Sequence, residues 1–156
     1  MKFLWRISNH GDLAGPGGQK SDGRWHTAAR GKRVIYLAEH PAVALVEVLA
    51  NLEGDPWLFP DTFQLVKIAA AGSVLIEVLN PDTLSGDWRT NLSETQALGD
   101  AWLESCRSAL LAVPSVPSPE SVNYLFNPLH KDAAGLVVVW CKRLRYDKRL
   151  FQIAVN

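Results

Sequence analysis

The chain reads as a single α+β domain over residues 1–156, with mixed or antiparallel sheets flanked by helices, and three observations predict this. Short apolar runs such as Val34–Leu37 and Leu136–Trp140 have strand length, while two longer segments carry helical signals. There is no internal repeat, low-complexity tract or linker. The 156 residues are 47% hydrophobic and only 21% charged, a globular composition long enough to bury a core without a disulfide or metal staple.

In chain order, Phe3-Leu4-Trp5 opens a first strand. Five of the eleven glycines then fall between Gly11 and Gly23, which makes a loop whose backbone approaches something closely. Val34-Ile35-Tyr36-Leu37 reads as a central strand. The next helix starts at Pro41, a favoured first-turn residue, and runs to Ala50, where Asn51 and Gly54 close it. Being apolar nearly all round, it is expected to be buried.

Phe63 to Ala70 and Ser73 to Val78 read as two strands separated by a turn at Ala71-Gly72, and Pro81 to Arg89 as loop. Ser93-Glu94-Thr95-Gln96 has the form of a capping box, and Ala97, Leu98, Ala101, Trp102, Cys106, Ala109 and Leu110 follow at helical spacing. Pro114, Pro117 and Pro119 impose an extended segment before strands at Tyr124–Phe126 and Leu136–Trp140.

Sixteen basic against sixteen acidic residues leave no net charge, which removes the bulk attraction behind nonspecific nucleic-acid or acidic-membrane binding. Direct nucleic-acid binding is therefore not expected. No apolar run approaches the roughly 18 residues of a membrane span, and no export signal is visible. Cys106 and Cys141 read as reduced thiols, which fits a cytoplasmic protein.

Gly15-Pro16-Gly17-Gly18 suggests a dinucleotide fingerprint, but the last glycine of that pattern would fall at Lys20. There is no Walker loop, paired CxxC, HExxH or GxSxG, and the four histidines, His10, His26, His40 and His130, are too scattered to predict a metal site.

Glu47 is the one ionisable residue within the apolar Pro41–Ala50 helix, so it either faces a cleft or pairs with an arginine at the core edge. Arg24 ends the glycine-rich loop, where a guanidinium fork can grip a pyrophosphate, although an exposed loop arginine is the simpler reading. Arg6 is either a second phosphate ligand or the partner of Glu47. Tyr36 is most simply a core ring, with ligand stacking as the minority reading. Ser115, Asn123 and Asn127, taken alone, are turn residues of a proline-rich region.

Together these pieces resemble the RES-domain family. The resemblance runs through Trp5-Arg6-Ile7-Ser8, Gly23-Arg24-Trp25-His26, Val34-Ile35-Tyr36-Leu37-Ala38 and Ala44 to Leu49. It continues through Thr95-Gln96, Gly99 and Trp102, then Val113-Pro114-Ser115, Asn123 to Pro128 with His130, and Asp147 to Leu150. Val116 to Ser121 departs from it by carrying extra proline and serine.

The resemblance implies an ADP-ribosyltransferase-like fold with NAD+ lying between two sheet halves. It further implies a bacterial toxin whose partner is a helix-turn-helix, Xre-like antitoxin that plugs the cleft. Arg24, Glu47 and Ser115 look like the catalytic trio, with Arg6, Tyr36 and Asn127 as further NAD+-binding positions. The implied reaction is cleavage of NAD+ at the nicotinamide–ribose bond by water or phosphate, without a metal. The alternatives are ADP-ribose transfer to a protein and a non-catalytic partner-binding role.

Overall fold

A computed structural model of the chain describes residues 1–52 and 61–151. The elements in order are β1 (Lys2–Ser8), β2 (Ile35–Ala38), α1 (Pro41–Asn51), β3 (Gln64–Ala70), β4 (Ile76–Val78), α2 (Leu92–Ser105), β5 (Leu110–Pro114), β6 (Val122–Phe126) and β7 (Leu136–Arg143). One seven-stranded sheet runs β4-β5-β6-β2-β1-β3-β7, with β4 and β5 parallel and every other pair antiparallel. The chain is α+β, and β2 lies at the middle of the sheet as its apolar sequence predicts.

The sheet opens at its centre. β1 and β3 stay in register over seven residues, whereas β1 and β2 share the single pair Trp5↔Ala38. The strands therefore divide into β4-β5-β6-β2 and β1-β3-β7, joined at one point. Leu4, Val66, Ile68 and Leu136 of one half pack with Ile35, Leu37, Leu110 and Phe126 of the other in one core that includes no helical residue. The halves thus fold over a shared apolar layer, and the helices cover the outer faces.

α1 starts at Pro41, whose missing N–H costs nothing in the first turn. His40 caps it, Nδ1 accepting from the Ala42 N–H at 3.1 Å. Only Val43 and Ala44 of this helix are buried, packed with Ile7 and Ala38; Leu45, Val46, Val48 and Leu49 are half-buried. The expectation of a fully buried helix is corrected here: α1 bridges the rim where the sheet opens, so one face packs and the other borders open space. Gly54, expected to help close it, lies outside the described residues.

α2 differs from its sequence signals at both ends. Asn91, not Ser93, is the N-cap, accepting from the Glu94 N–H, and the Glu94 carboxylate accepts from the Ser85 N–H and hydroxyl instead of closing a capping box. At the far end Cys106 takes a left-handed conformation at φ 49°, which stops the helix. Ala109 and Leu110, expected on the helix face, belong to the entry into β5. Periodicity does not separate a short apolar run in a helix from a buried strand, and pairing with β4 on one side and β6 on the other decides it.

Trp102 and Leu103 of α2 pack with Leu111, Val113 and Leu125 of the sheet and with Trp25 and Trp88 of the connecting segments. Asp100 on the same helix receives the Thr27 N–H at 3.0 Å, the Thr27 hydroxyl at 2.6 Å and Lys32 Nζ at 2.8 Å. Burial pushes the Asp100 carboxyl up, but the bonds from Lys32 and Thr27 outweigh it and hold it below its ordinary value. A depressed folded value means this stabilisation is complete above the unfolded carboxyl's range near about 4 and fades as pH falls through the folded value. Asp100→Asn is expected to cost about 1–3 kcal/mol at neutral pH and to flatten the acid limb of stability, read from urea midpoints at several pH values. An acid limb as steep as the parent's would assign that limb to other carboxyls.

Candidate functional site

The opening between the sheet halves is a cleft of about 840 Å3, within the usual range for small-molecule sites. β1 contributes Trp5 to Ser8, β2 contributes Ile35 to Ala38, α1 contributes Glu47, and the glycine-rich loop contributes Gly15, Gly17, Gly18 and Ser21 to Arg24.

Glu47 projects from α1 to the two strands beyond it. Its Oε1 accepts from the Ser115 hydroxyl at 2.6 Å and from Asn123 Nδ2 at 2.5 Å. Ser115 follows β5 directly, is buried, and its oxygen also accepts the Ser118 N–H at 3.2 Å, so the proline-containing turn after β5 aims the hydroxyl at the carboxylate. Asn123, on β6 opposite Ala38, is also largely buried. No arginine pairs with Glu47 among the described residues. The reading as a core-edge ion pair gives way to a carboxylate held by two neutral donors, with Oε2 accepting no bond from a described residue.

Arg24 is not an exposed loop arginine. Gly23 and His26 form an isolated bridge around it, the Thr95 hydroxyl donates to its carbonyl at 2.8 Å, and Gln96 Nε2 donates to that of Gly23 at 3.0 Å. Its Nη2 donates to the Trp88 carbonyl at 2.5 Å and the guanidinium lies 6.0 Å from the Trp88 ring, while Nε is buried without an acceptor among the described residues. Burial lowers its basicity and the field of Glu47 partly restores it. Arg6 is also lowered by burial, opposed by Asp12, whose carbonyl accepts its Nη1 at 3.2 Å. Two guanidinium groups, Arg6 and Arg24, and two carboxylates, Glu47 and Asp22, thus line the same cleft.

Tyr36 and His26 brace the glycine-rich loop. His26 Nε2 meets the carbonyls of Gly18 and Ser21, both at 3.1 Å, so it carries the ring proton. Nδ1 then accepts from the Tyr36 hydroxyl at 2.8 Å, and that oxygen accepts the Trp25 N–H at 3.0 Å. Burial raises the Tyr36 hydroxyl well above its ordinary value, which keeps it a neutral donor.

Of the residues expected at the site, Arg6, Arg24, Tyr36 and Glu47 line the cleft and Ser115 bonds to Glu47. Asn127 does not line it. Its Oδ1 accepts the Leu129 N–H at 3.0 Å and its own N–H donates to the Ala109 carbonyl, a turn placed four residues beyond Asn123, roughly 13 Å along the strand. Asn123, rather than Asn127, is the asparagine of β6 that lines the cleft. His26, Thr95 and Gln96 are further residues that sequence reasoning assigned no role. A polar pair within an otherwise apolar helical stripe is the signal for the last two.

Glu39, a second carboxylate near Glu47 in sequence, accepts the Val122 N–H and does not line the cleft; Glu53 lies outside the described residues. Both cysteines are free, and among the described residues no helix is long and apolar enough to cross a membrane.

This architecture has relatives. A chain in the crystal structure of the Mycobacterium tuberculosis MbcT–MbcA toxin–antitoxin complex superposes with a TM-score of 0.75 at 19% identity, over 97% of this chain and 87% of that one. A protein of Pseudomonas putida named Toxin Res is 40% identical over 149 residues, covering 96% of this chain and 99% of its own length. A Sphingobium protein named Prs ADP-ribosylating toxin is 33% identical over 161 residues, 97% of this chain and 98% of its own. The RES domain family model matches residues 3–149, a span that holds the open sheet apart from Lys2, the first residue of β1, and every cleft residue described above. With that extent of match and those relatives, the chain belongs to the RES domain family.

Proposed function

We propose that this RES domain is the toxin of a toxin–antitoxin pair and that it cleaves NAD+ at the nicotinamide–ribose bond. The observation that carries the reading is the pairing of one braced carboxylate, Glu47, with two guanidinium groups in a single cleft of dinucleotide capacity. Arg24 and Arg6 hold the pyrophosphate, Tyr36 borders the nicotinamide end, and Glu47 faces the anomeric carbon.

Nicotinamide leaves as a neutral molecule, taking the electron pair of the broken C–N bond. The departure needs no general acid, and positive charge develops on the ribose. A fixed carboxylate stabilises that charge more than it stabilises the ground state. Water then adds its oxygen to the anomeric carbon and releases a proton, giving ADP-ribose; phosphate in its place gives the 1-phosphate. Ser115 positions Glu47 and does not touch the ribose. The other carboxylate lining the cleft, Asp22, is engaged by the Ala28 N–H at 2.7 Å within the glycine-rich loop and shares no partner with Glu47. A single carboxylate held by Ser115 and Asn123 favours degradation over transfer to a protein, the alternative that the Sphingobium relative's name supports.

Incubating purified chain with NAD+ and resolving the products by chromatography is expected to give nicotinamide with ADP-ribose or its 1-phosphate in equal amounts. Nicotinamide release with label on protein would establish the transferase alternative. No NAD+ loss would leave only the partner-binding role. The partner is an Xre-like helix-turn-helix antitoxin whose tail occupies the cleft, which predicts that NAD+ and antitoxin compete.

Arg24→Lys is expected to weaken NAD+ binding at least about tenfold, because an ammonium does not reproduce the planar fork. It also loses the bond to the Trp88 carbonyl, so a stability cost of about 1 kcal/mol accompanies it. Calorimetry on a Glu47→Gln background, where the ligand survives, measures the affinity. Equal affinity with lysine would move the phosphate role to Arg6.

A further inference from the structure

Asn123 has one polar atom with no partner among the described residues. Its Nδ2 donates to Glu47 Oε1, while its Oδ1 is buried without a donor among the described residues. The amide orientation is forced: reversing it would set two oxygens against each other at 2.5 Å. The residue is 9% exposed, lines the cleft, and sits on the β6 face shared with Leu125, the face toward the helices. A buried acceptor left unpaired disfavours the empty protein, and a donor brought by a ligand removes that penalty without competing water.

The position of Asn123 limits which donor this is. It is bonded to the carboxylate that faces the anomeric carbon, so Oδ1 lies within one side chain's reach of that carbon. The ribose hydroxyls are one and two carbons away, whereas the carboxamide lies across the pyridine ring. Glu47 Oε2 is a second acceptor beside it with no bond from a described residue. Two adjacent acceptors, one charged and one neutral, complement two cis hydroxyls. Resting on the proposed reading of the cleft, we infer that Asn123 is a specificity residue that accepts a hydrogen bond from one hydroxyl of the nicotinamide ribose, with Glu47 taking the other. The site is thereby selective for an intact ribose cis-diol.

The test is calorimetry with NAD+, 2′-deoxy-NAD+ and 3′-deoxy-NAD+ on Glu47→Gln, and on the same variant carrying Asn123→Ala or Asn123→Ser. Binding, not rate, is read, because removing a hydroxyl also alters the intrinsic lability of the glycosidic bond. One deoxy analogue is expected to bind at least about tenfold more weakly than NAD+, and replacing Asn123 should shrink that gap below about twofold. Unfolding curves establish that each variant is folded, and Asn123→Ser serves if Asn123→Ala is not. A gap that persists unchanged after Asn123 is replaced overturns the inference while leaving NAD+ as the ligand. Equal affinity for all three ligands on Glu47→Gln overturns it without any substitution at Asn123. Failure of NAD+ itself to bind overturns the reading of the cleft on which it rests.

Discussion

Glu47→Gln is expected to lower NAD+ cleavage by about 10²–10³-fold, the range found when a group aimed at developing charge is removed. The substitution is close to isosteric. Gln Oε1 still accepts from Ser115 and Asn123, and its amide nitrogen takes the place of Oε2, which bonds to no described residue. Stability should therefore move by less than about 1 kcal/mol. A carboxylate serving the fold through a buried arginine would give the opposite pattern, because removing its charge would leave the arginine unpaired at a cost of about 3–5 kcal/mol. Rate and melting temperature measured on the same preparation separate the two. Full activity in the variant would end the assignment.

Gly99→Ala is expected to be the most damaging glycine-to-alanine change among the described glycines. A Cβ at this α2 position would sit 1.6 Å from the Trp25 carbonyl oxygen and 2.7 Å from its carbon, so backbone, not a yielding side chain, must move. Separating α2 from the Arg24 segment also breaks the bonds that Thr95 and Gln96 make to the carbonyls of Arg24 and Gly23. Overpacking alone costs about 1–3 kcal/mol, and the buried hydrogen bonds add to it. A loss of about 3 kcal/mol or more in urea unfolding is predicted, with weakened NAD+ binding in whatever remains folded. Gly72, whose Cβ would approach no atom closer than 3.9 Å, serves as the control. A loss at Gly99 no larger than at Gly72 would mean that α2 is free to shift.

Much of this arrangement is legible before any coordinates. β1, β2, β3, α1 and β6 stand where apolar runs and the Pro41 start put them, because in each the local pattern and the tertiary environment agree. β5 was hidden because Leu110 to Pro114 continues the helical spacing of α2 and ends in proline. Only its two sheet neighbours make it a strand.

The site is legible in the same uneven way. Glu47 stands out as the lone charge within an apolar helix, and that signal is physical. Ser115 comes from the resemblance, since alone it is one serine among several near prolines. Asn127-Pro128 carries a turn signal that Asn123-Tyr124 lacks, and strand register agrees, placing Asn123 opposite Ala38 and Asn127 past the strand end. His26 carried no signal of its role beyond its place in the Gly23-Arg24-Trp25-His26 fragment of the resemblance. Its value lies in contacts with carbonyls five and eight residues earlier in the chain, and loop closure of that kind leaves no periodicity to read.

The most direct test is the crystal structure of the Glu47→Gln variant with NAD+. The anomeric carbon is predicted within roughly 3–4 Å of the residue 47 side chain, close enough for a field effect on the breaking bond. The pyrophosphate should lie between Arg24 and Arg6, and one ribose hydroxyl should lie at Asn123 Oδ1. NAD+ seated with its nicotinamide ribose away from residue 47, or with its pyrophosphate clear of both arginines, would contradict the account.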